Sequence, residues 1–463
     1  MKITLKRNNF HIGPILLGTG FFLVIGALFF IYSIDFSPIL LALILFMYAR
    51  SVRKIEGLPS YVDLLLLTSI AVIITLLTMI TFKMSGYAVS AIGFIMLVTL
   101  LFDNLELSLI FAVFISFLAG SVEGGNFNLV LSLFSASGCA AMFSYRIRRR
   151  SQIIRAGILS GLIQFFVALV VEQSKDFFIL TPINLSLLQL NVLNGLISSI
   201  IVIGILPIFE YIFKVVTNIS LLEMSDFNNP LLRKMILEAP GTYQHSLVVA
   251  NLAEAATEAI GANSLLARVG SYYHDIGKIP KANYFVENLI PYRDAHKDLK
   301  PSISKIIIMN HVKEGAELGQ KHRLNPRIID FIEQHHGRSL VYFFYQRAKE
   351  LDPEREKEYK EEYRYPGPKA QSKEVAIVGL ADTIEAVSRT LEEPTPARIK
   401  EMVADVVRRK FMEGELDESN LTLRDLERIT QSFVRVLNAI FHTRVSYPKD
   451  ESANKKSPKN KED

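Results

Sequence analysis

The sequence predicts an all-α protein in which a polytopic transmembrane helical domain is followed by a cytosolic all-helical domain. Three observations support this fold class. Only 22 of the 97 charged residues occur through Phe213, although this part is nearly half of the 463-residue chain. The same part contains eight apolar runs. The remainder has the helical periodicity of amphipathic segments and hardly any β-strand pattern.

The first 213 residues predict about eight transmembrane helices, because a helix needs roughly 20 apolar residues to cross the hydrocarbon layer. The runs at 36–49 and 87–101 are short and suit tilted or re-entrant segments. The first run has a basic flank but no small-residue cleavage site, which disfavours a signal peptide. The apolar runs cover residues 13–33, 36–49, 60–82, 87–101, 105–120, 127–145, 152–172 and 188–213.

Basic loops predict the orientation of this domain in the membrane. Clusters of Lys and Arg at 2–7, 50–54 and 146–155 mark the cytoplasmic side of the membrane. An even number of spans fits between successive clusters, so both ends of the domain are expected in the cytoplasm. The net charge of +5 lies mostly in these membrane loops. We therefore expect contact with membrane lipids and no nucleic acid polymer as a partner.

A transporter is the rival role for so many spans. Transport sites place ionisable residues or broken helices at the middle of the membrane. Here the acidic residues stand near the ends of the apolar runs, as Asp35, Asp63, Asp103, Glu172 and Glu210 do. An anchoring or sensing membrane domain is therefore favoured. The single cysteine lies inside an apolar run, and no intramolecular disulfide is expected.

The soluble part begins with a connector at 214–240 and continues as a helical domain at 241–447. In the connector, Pro230 suits the first turn of a short helix. The polar tail at 448–463 lacks apolar residues and is expected to be disordered. Further helices are expected at about 242–260, 264–278, 302–322, 326–336, 340–362, 371–391, 395–412 and 422–441.

Imidazoles and carboxylates accumulate at helical positions of this domain. A single buried histidine is more simply a core residue bonded to a backbone carbonyl, but such residues have no reason to cluster. Nitrogen and carboxylate ligands without thiolates suit Fe, Mn or Zn, and seven positions suit two ions. Asp275 is expected to bridge two ions that together act on a phosphodiester. The expected ligands of one ion are His245, His274, Asp275 and Asp382, and those of the other ion are Asp275, His311, His335 and His336.

Lys278 is the second expected catalytic residue beside Asp275. One helical turn beyond His274, its ammonium group is placed to neutralise developing phosphate charge or to assist the leaving oxygen. The alternative is a solvated lysine at a helix end, where a positive charge complements the helix dipole.

These positions and their surroundings resemble a known family. The ligand pattern is similar to the HD phosphohydrolase superfamily with a dinuclear centre. The segments 222–226, 237–246, 310–313, 334–337 and 365–369 resemble the seven-transmembrane HD proteins, the PgpH-type cyclic di-AMP phosphodiesterases of bacteria. The resemblance implies an HD domain that hydrolyses cyclic di-AMP to pApA with two divalent transition-metal ions, Fe or Mn. It also implies a multi-pass protein of the bacterial cytoplasmic membrane.

The chain departs from this pattern in one place. Family members carry a large extracytoplasmic domain after their first membrane helix, and here only residues 33–37 occupy that position. The related cyclic di-GMP enzymes have Gly-Tyr-Pro after their paired histidines. This chain has Gly337-Arg338-Ser339 instead, which argues against that substrate. Arg338, Tyr365 and Lys369 are candidates for binding the cyclic dinucleotide.

Two other functions remain as alternatives to the phosphodiesterase. One is a non-catalytic nucleotide-sensing HD module, which would be expected to have lost ligands. The other is an HD phosphohydrolase that acts on another nucleotide, which the ligands alone do not exclude. Assembly as a homo-oligomer and the signal detected by the membrane domain are left open.

Overall fold

The computed structural model describes residues 91–171, 182–289 and 295–441. Within these ranges the regular structure is helical, apart from one isolated bridge between Leu340 and Arg364. This confirms the all-α prediction. The described residues form two compact units. The first comprises the described residues through Asn229 together with Arg323–Arg327, and the second the remaining described residues from Pro230 on.

The helices of the first unit are mostly long and apolar. Three of them are long and apolar enough to cross a membrane, namely Phe127–Ser144, Arg150–Val171 and Leu185–Phe213. The predicted runs at 13–33, 36–49 and 60–82 lie outside the described residues, as does the tail at 448–463. The helices are α1 (Ala91–Phe102), α2 (Leu105–Val122), α3 (Phe127–Ser144), α4 (Arg150–Val171), α5 (Pro182–Phe213) and α6 (Asn218–Met224).

Glu210 lies in the last turn of α5 and links it to the segment that follows. Its carboxylate is buried and accepts hydrogen bonds from the Thr217 backbone N–H and the Ser220 hydroxyl, both at 2.8 Å. A buried carboxylate is stable when its oxygens are hydrogen-bonded in this way. These bonds fix α6, which lies inside the predicted connector, to the preceding membrane helix.

The second unit contains ten α-helices and three short 3-10 helices among its described residues. Its α-helices are α7 (Pro230–Glu238), α8 (Pro240–Ala259), α9 (Ser264–Tyr273), α10 (Pro301–Lys321), α11 (Pro326–Gln334), α12 (Tyr342–Leu351), α13 (Glu356–Glu362), α14 (Lys373–Ser388), α15 (Pro396–Met412) and α16 (Leu423–Ile440). The 3-10 helices are Ile276–Tyr284, Val286–Asn288 and Pro353–Arg355. Helix α8 packs against α9, α14 and α16 and forms the centre of the unit.

Two predicted helices are interrupted. The helix expected over 264–278 ends at Tyr273, and a 3-10 helix containing Pro280 follows it. The helix expected over 340–362 is divided at Asp352, where Pro353 begins a 3-10 turn. Proline lacks the backbone N–H that an α-helix needs, which explains the interruption at Pro353. Other helices begin after a polar capping residue, as with Asn263 before α9 and Ser372 before α14.

Candidate metal centre

Separate segments of the second unit bring all seven expected ligands together. His245 lies on α8, His274 and Asp275 follow α9, and His311 lies on α10. The pair His335-His336 follows α11, and Asp382 lies on α14. All of them are buried except His336, which is half-buried. Five elements or their ends therefore converge on one point inside the unit.

Asp275 occupies the middle of the cluster. Its Oδ1 lies 3.3 Å from His311 Nε2 and 3.7 Å from His335 Nε2. Its Oδ2 lies 3.3 Å from His274 Nε2 and 3.6 Å from His245 Nε2. Each carboxylate oxygen thus faces a different pair of imidazoles, as expected of a carboxylate that bridges two ions.

The cluster consists of two ligand groups that share Asp275. Within each group, one possible ligand atom from every member lies within 4.8 Å of the others. The first group is His245, His274, Asp275 and Asp382, and the second is Asp275, His311, His335 and His336. This is the division that the sequence analysis predicts.

Two glycines permit the close approach of these segments. A Cβ atom on Gly277 would lie 1.8 Å from the carbonyl oxygen of His311. A Cβ atom on Gly379 would lie 2.3 Å from the carbonyl oxygen of His335. Only a residue without a side chain fits at either position. Gly277 therefore lets the chain beside Asp275 touch α10, and Gly379 lets α14 approach His335.

The histidines are oriented by bonds at their outer nitrogen. His274 Nδ1 contacts the carbonyl oxygen of Ser271 at 2.7 Å, and His335 Nδ1 contacts that of Phe331 at 2.9 Å. Among the described residues, Nε2 of His274, His311 and His335 has no hydrogen bond of normal geometry. Buried polar atoms without partners are costly. Because these atoms converge on the Asp275 carboxylate, the residues fit a pair of metal ions.

At most positions of the cluster, burial and neighbouring charges favour the protonation state in which the side chain can bind a metal ion. Burial opposes the ionisation of Asp275, but Lys278 and His274 outweigh it and hold the pKa of that carboxyl well below its usual value. Burial, together with the charge of His274, lowers the pKa of His335 to about 3. Burial also holds the pKa of His336 well below its usual range. Asp275 is therefore ionised and both paired histidines are neutral, as metal ligands must be.

His245 differs from the other histidines. Burial opposes its protonation, yet hydrogen bonds with Asp382 and Glu385 raise its pKa to about 10. Glu385 is buried, and its Oε2 lies 2.7 Å from His245 Nδ1. Glu385 is not among the site residues predicted from the sequence. The spacing from Asp382 to Glu385 is a signal for it, because residues three apart lie on the same face of a helix.

Lys278 lies close to Asp275, but it belongs to a 3-10 helix and not to the predicted α-helix. Its Nζ lies 2.7 Å from Asp275 Oδ2 and 2.8 Å from Glu287 Oε1. The side chain is only 13% exposed, so the alternative of a solvated lysine at a helix end is wrong. Glu287 also accepts a hydrogen bond from the Thr242 hydroxyl at 3.1 Å. The sequence carried no signal for Glu287, because it follows a turn and contacts distant residues.

The three candidate substrate-binding residues lie on two segments. Arg338 is on the segment directly after the paired histidines, and Tyr365 and Lys369 are on a loop that approaches them. Tyr365 is buried, and its ring stacks on His336 with centroids 4.2 Å apart. Arg338 is exposed, and its backbone N–H donates to Glu415 Oε2 at 2.8 Å. Lys369 is half-buried, with Nζ 3.5 Å from Asp417 Oδ2. The structure thus brings Tyr365 to the metal cluster and leaves the Arg338 side chain at the surface.

Two family models match successive parts of the chain. The family described as 7TM receptor with intracellular HD hydrolase matches residues 22–217. The HD domain family matches residues 242–387, which include every expected ligand. The first match and the apolar helices of the first unit together show a membrane protein.

Curated relatives match about half of the chain. Cyclic-di-AMP phosphodiesterase PgpH of Bacillus subtilis is 46% identical over 224 residues, and PgpH of Listeria monocytogenes is 44% identical over 223 residues. These matches cover 48% of this chain and 31% of each relative. The chain thus spans about a third of the length of these relatives.

A solved structure is also similar. The crystal structure of the L. monocytogenes phosphodiesterase PgpH HD domain in complex with cyclic-di-AMP is 44% identical, with a TM-score of 0.45. It covers 47% of this chain and all of the solved chain. This chain is therefore similar to the 7TM receptors with an intracellular HD hydrolase over residues 22–217, and to the HD domain family over residues 242–387.

Proposed function

We propose that this protein is a membrane-anchored, metal-dependent phosphodiesterase that hydrolyses cyclic di-AMP to pApA. The observation that carries the proposal is the position of Asp275, whose two carboxylate oxygens face two separate groups of ligands. The names of the PgpH relatives support cyclic di-AMP as the substrate. In the proposed organisation, residues 1–213 form the membrane domain, 214–240 the connector and 241–447 the HD domain.

The reaction is an in-line displacement at phosphorus. A water oxygen forms a bond to phosphorus, the bond from phosphorus to the 3′ oxygen breaks, and a proton goes to that oxygen. When bound, a pair of divalent ions would activate water at neutral pH and stabilise charge on the attacking and leaving oxygens. The seven ligands would hold this pair, with Asp275 belonging to both ligand groups.

Lys278 contributes positive charge to the reaction and does not exchange a proton. Burial opposes its protonation, but Asp275 and Glu287 outweigh burial and raise the pKa of Lys278 above its usual value. An ammonium group that stays protonated is a poor proton donor to the leaving oxygen. It stabilises negative charge on the phosphate as bonds form and break.

The substrate is held next to the paired histidines. Tyr365 adjoins His336 and bounds the centre on that side. Arg338 follows the paired histidines by two residues and offers a charged group to a phosphate oxygen. Lys369 lies on the same loop as Tyr365 and adds a second positive charge.

The cofactors are proposed to be Fe or Mn, and the location is the bacterial cytoplasmic membrane. Histidine and carboxylate ligands without cysteine suit these metals. The basic loops between apolar runs place the HD domain in the cytoplasm. The intracellular HD hydrolase in the description of the matching family agrees with this placement.

The test uses the full chain in detergent micelles, loaded with Mn²⁺ or Fe²⁺. The panel contains cyclic di-AMP, cyclic di-GMP and nucleoside mono- and triphosphates, and products are separated by chromatography. We expect pApA from cyclic di-AMP as the preferred product. Binding of cyclic di-AMP without turnover in either metal identifies a sensing module, and faster cleavage of another nucleotide identifies a different phosphohydrolase.

Asp275→Ala tests the site itself. Because the bridging carboxylate serves both ligand groups, we expect the variant to lose both ions and at least a hundredfold in turnover. Metal content is measured by elemental analysis after dialysis. Asp298→Ala is the matched control, because Asp298 is an exposed aspartate outside the cluster. An Asp275→Ala protein that cleaves as fast as the parent contradicts the assignment.

A further inference from the structure

Glu385 is a buried carboxylate that directly contacts a metal-facing histidine. It is 3% exposed, and its Oε2 lies 2.7 Å from Nδ1 of His245. It lies on α14 three residues after Asp382, so both carboxylates are on the same face of this helix. His245 Nε2, on the other side of the ring, lies 3.1 Å from Asp382 Oδ1. The imidazole is thus held between an outer and an inner carboxylate of one helix.

The corresponding nitrogen of three other histidines has a weaker partner. The Nδ1 atom of His274 contacts the carbonyl oxygen of Ser271. The Nδ1 atoms of His311 and His335 contact the carbonyl oxygens of Ile308 and Phe331, respectively. A carboxylate carries a full negative charge and is a stronger acceptor than a neutral carbonyl. It therefore fixes the Nδ1–H tautomer more firmly and makes Nε2 a stronger electron donor toward a cation.

The second oxygen of Glu385 is also occupied. Arg389, the residue directly after α14, places its Nε 2.6 Å from Glu385 Oε1. Its side chain is 47% exposed, so it extends from the buried carboxylate toward solvent. Arg389 compensates the charge of Glu385 and leaves Oε2 directed at His245.

We propose that Glu385 is a positioning residue that makes the two metal positions unequal. It holds His245 as a strong ligand, and the ion bound by His245, His274, Asp275 and Asp382 is the more tightly held of the two. This inference rests on the metal centre of the proposed function. It predicts the order in which the two metal ions bind. The ion held by His245 binds before the ion held by His311, His335 and His336.

The test measures metal binding, not turnover. The full chain in detergent is stripped with a chelator and titrated with Mn²⁺ in competition with a metal indicator. We expect the wild-type protein to bind two ions in two resolved steps. Glu385→Gln keeps the size of the side chain and removes its charge, and we expect it to weaken the tighter step by about 10–100-fold. The weaker step should change much less.

Arg389→Gln and Glu392→Gln complete the experiment. Arg389 lies at the exposed edge of α14, so its replacement tests the same network even if Glu385→Gln fails to fold. We expect Arg389→Gln to weaken the tighter step several-fold. Glu392 is an exposed glutamate beyond the end of α14, and Glu392→Gln should leave both steps unchanged.

Three results overturn the inference. The first is a Glu385→Gln protein whose tighter step is unchanged. The second is equal weakening of both steps with a lower unfolding temperature of the metal-free protein, which indicates a merely structural role. The third is a wild-type chain that binds no transition metal, which overturns the proposed function as well. In the first two cases the proposed function stands if wild-type protein still hydrolyses cyclic di-AMP.

Discussion

At the scale of single residues, the centre is dominated by charges that are buried in pairs. Asp275 is 1% exposed and contacts the ammonium group of Lys278, which also contacts Glu287. Without bound metal, Lys278 is the cation that compensates both carboxylates. A buried charge that loses its only partner is strongly destabilising, because no water replaces the lost interaction.

Lys278→Met removes this compensating charge while keeping a long side chain. In metal-free protein we expect the free energy of unfolding to fall by about 3–5 kcal/mol, because the buried carboxylate of Asp275 and the half-buried carboxylate of Glu287 lose their cation. Thermal unfolding of the full chain in detergent measures the change.

Lys281→Met is the control for this variant. Lys281 pairs with Glu314, but its side chain is 40% exposed, so its loss should cost about 1 kcal/mol or less. Equal effects of the two substitutions would show that the contact of Lys278 with Asp275 and Glu287 contributes nothing special to stability.

At the scale of elements, the change from α9 to a 3-10 helix determines how closely the segments approach. Helix α9 ends at Tyr273, so His274 and Asp275 stand at the junction, where side chains leave the helical path. The 3-10 helix then passes so close to α10 that Gly277 contacts the backbone of His311 and Gly315. This contact keeps Asp275 within reach of the imidazole of His311.

Gly277→Ala should disrupt the metal centre without altering any ligand. The added Cβ would meet backbone atoms of α10, which cannot move aside as a flexible side chain can. We expect a loss of about 1–3 kcal/mol in stability and a metal content below one ion per chain. Thermal unfolding and elemental analysis measure the two effects.

Gly204→Ala provides the comparison. A Cβ at Gly204 meets no atom within 4 Å among the described residues, so this substitution should leave metal content unchanged. A Gly277→Ala protein with two ions and unaltered stability would show that the close contact is not needed to build the centre.

At the scale of the whole molecule, the two units have different chemistry. The first unit exposes large apolar side chains on its long helices, including Phe166 at 54% and Val170 at 60%. Such surface is suited to lipid, because all backbone polar groups of a helix are bonded internally. Most of the charged residues of the chain follow Phe213, and the second unit contains the metal cluster. Metal binding should therefore stabilise the second unit specifically.

Mn²⁺ should raise the unfolding temperature of the second unit. A ligand at a hundred times its dissociation constant stabilises the folded state by about 2.7 kcal/mol for one site. We expect the rise to disappear after chelation and in Asp275→Ala. Calorimetry of the full chain in detergent, with a separate transition for each unit, measures it.

Ca²⁺ is the control ion, since it prefers oxygen ligands and the cluster is rich in imidazole. It should give little or no stabilisation. An equal shift with Ca²⁺, or no shift with Mn²⁺, would contradict a transition-metal centre.

Much of the helical architecture was predictable because its signals are local. Apolar runs, capping residues and helical periodicity each depend on neighbours in the chain, and the described helices follow them closely. The errors occurred at Pro280 and Pro353, where a short 3-10 segment replaced the continuation of a helix. The grouping of the seven metal-facing residues was also predictable, because the motifs that carry it are specific. The location of the first three apolar runs in the membrane stays a prediction.

The sequence by itself determined the all-helical class, the separation of an apolar part from a polar part, and the residues that converge on Asp275. Local composition and motifs carry this information. Only the tertiary structure decided what surrounds those residues: Glu287 beside Lys278, Glu385 behind His245, and α10 against Gly277. These contacts join residues from 9 to 140 positions apart. Apart from the three-residue spacing between Asp382 and Glu385, no local pattern indicates them, since they exist only when packing brings distant segments together.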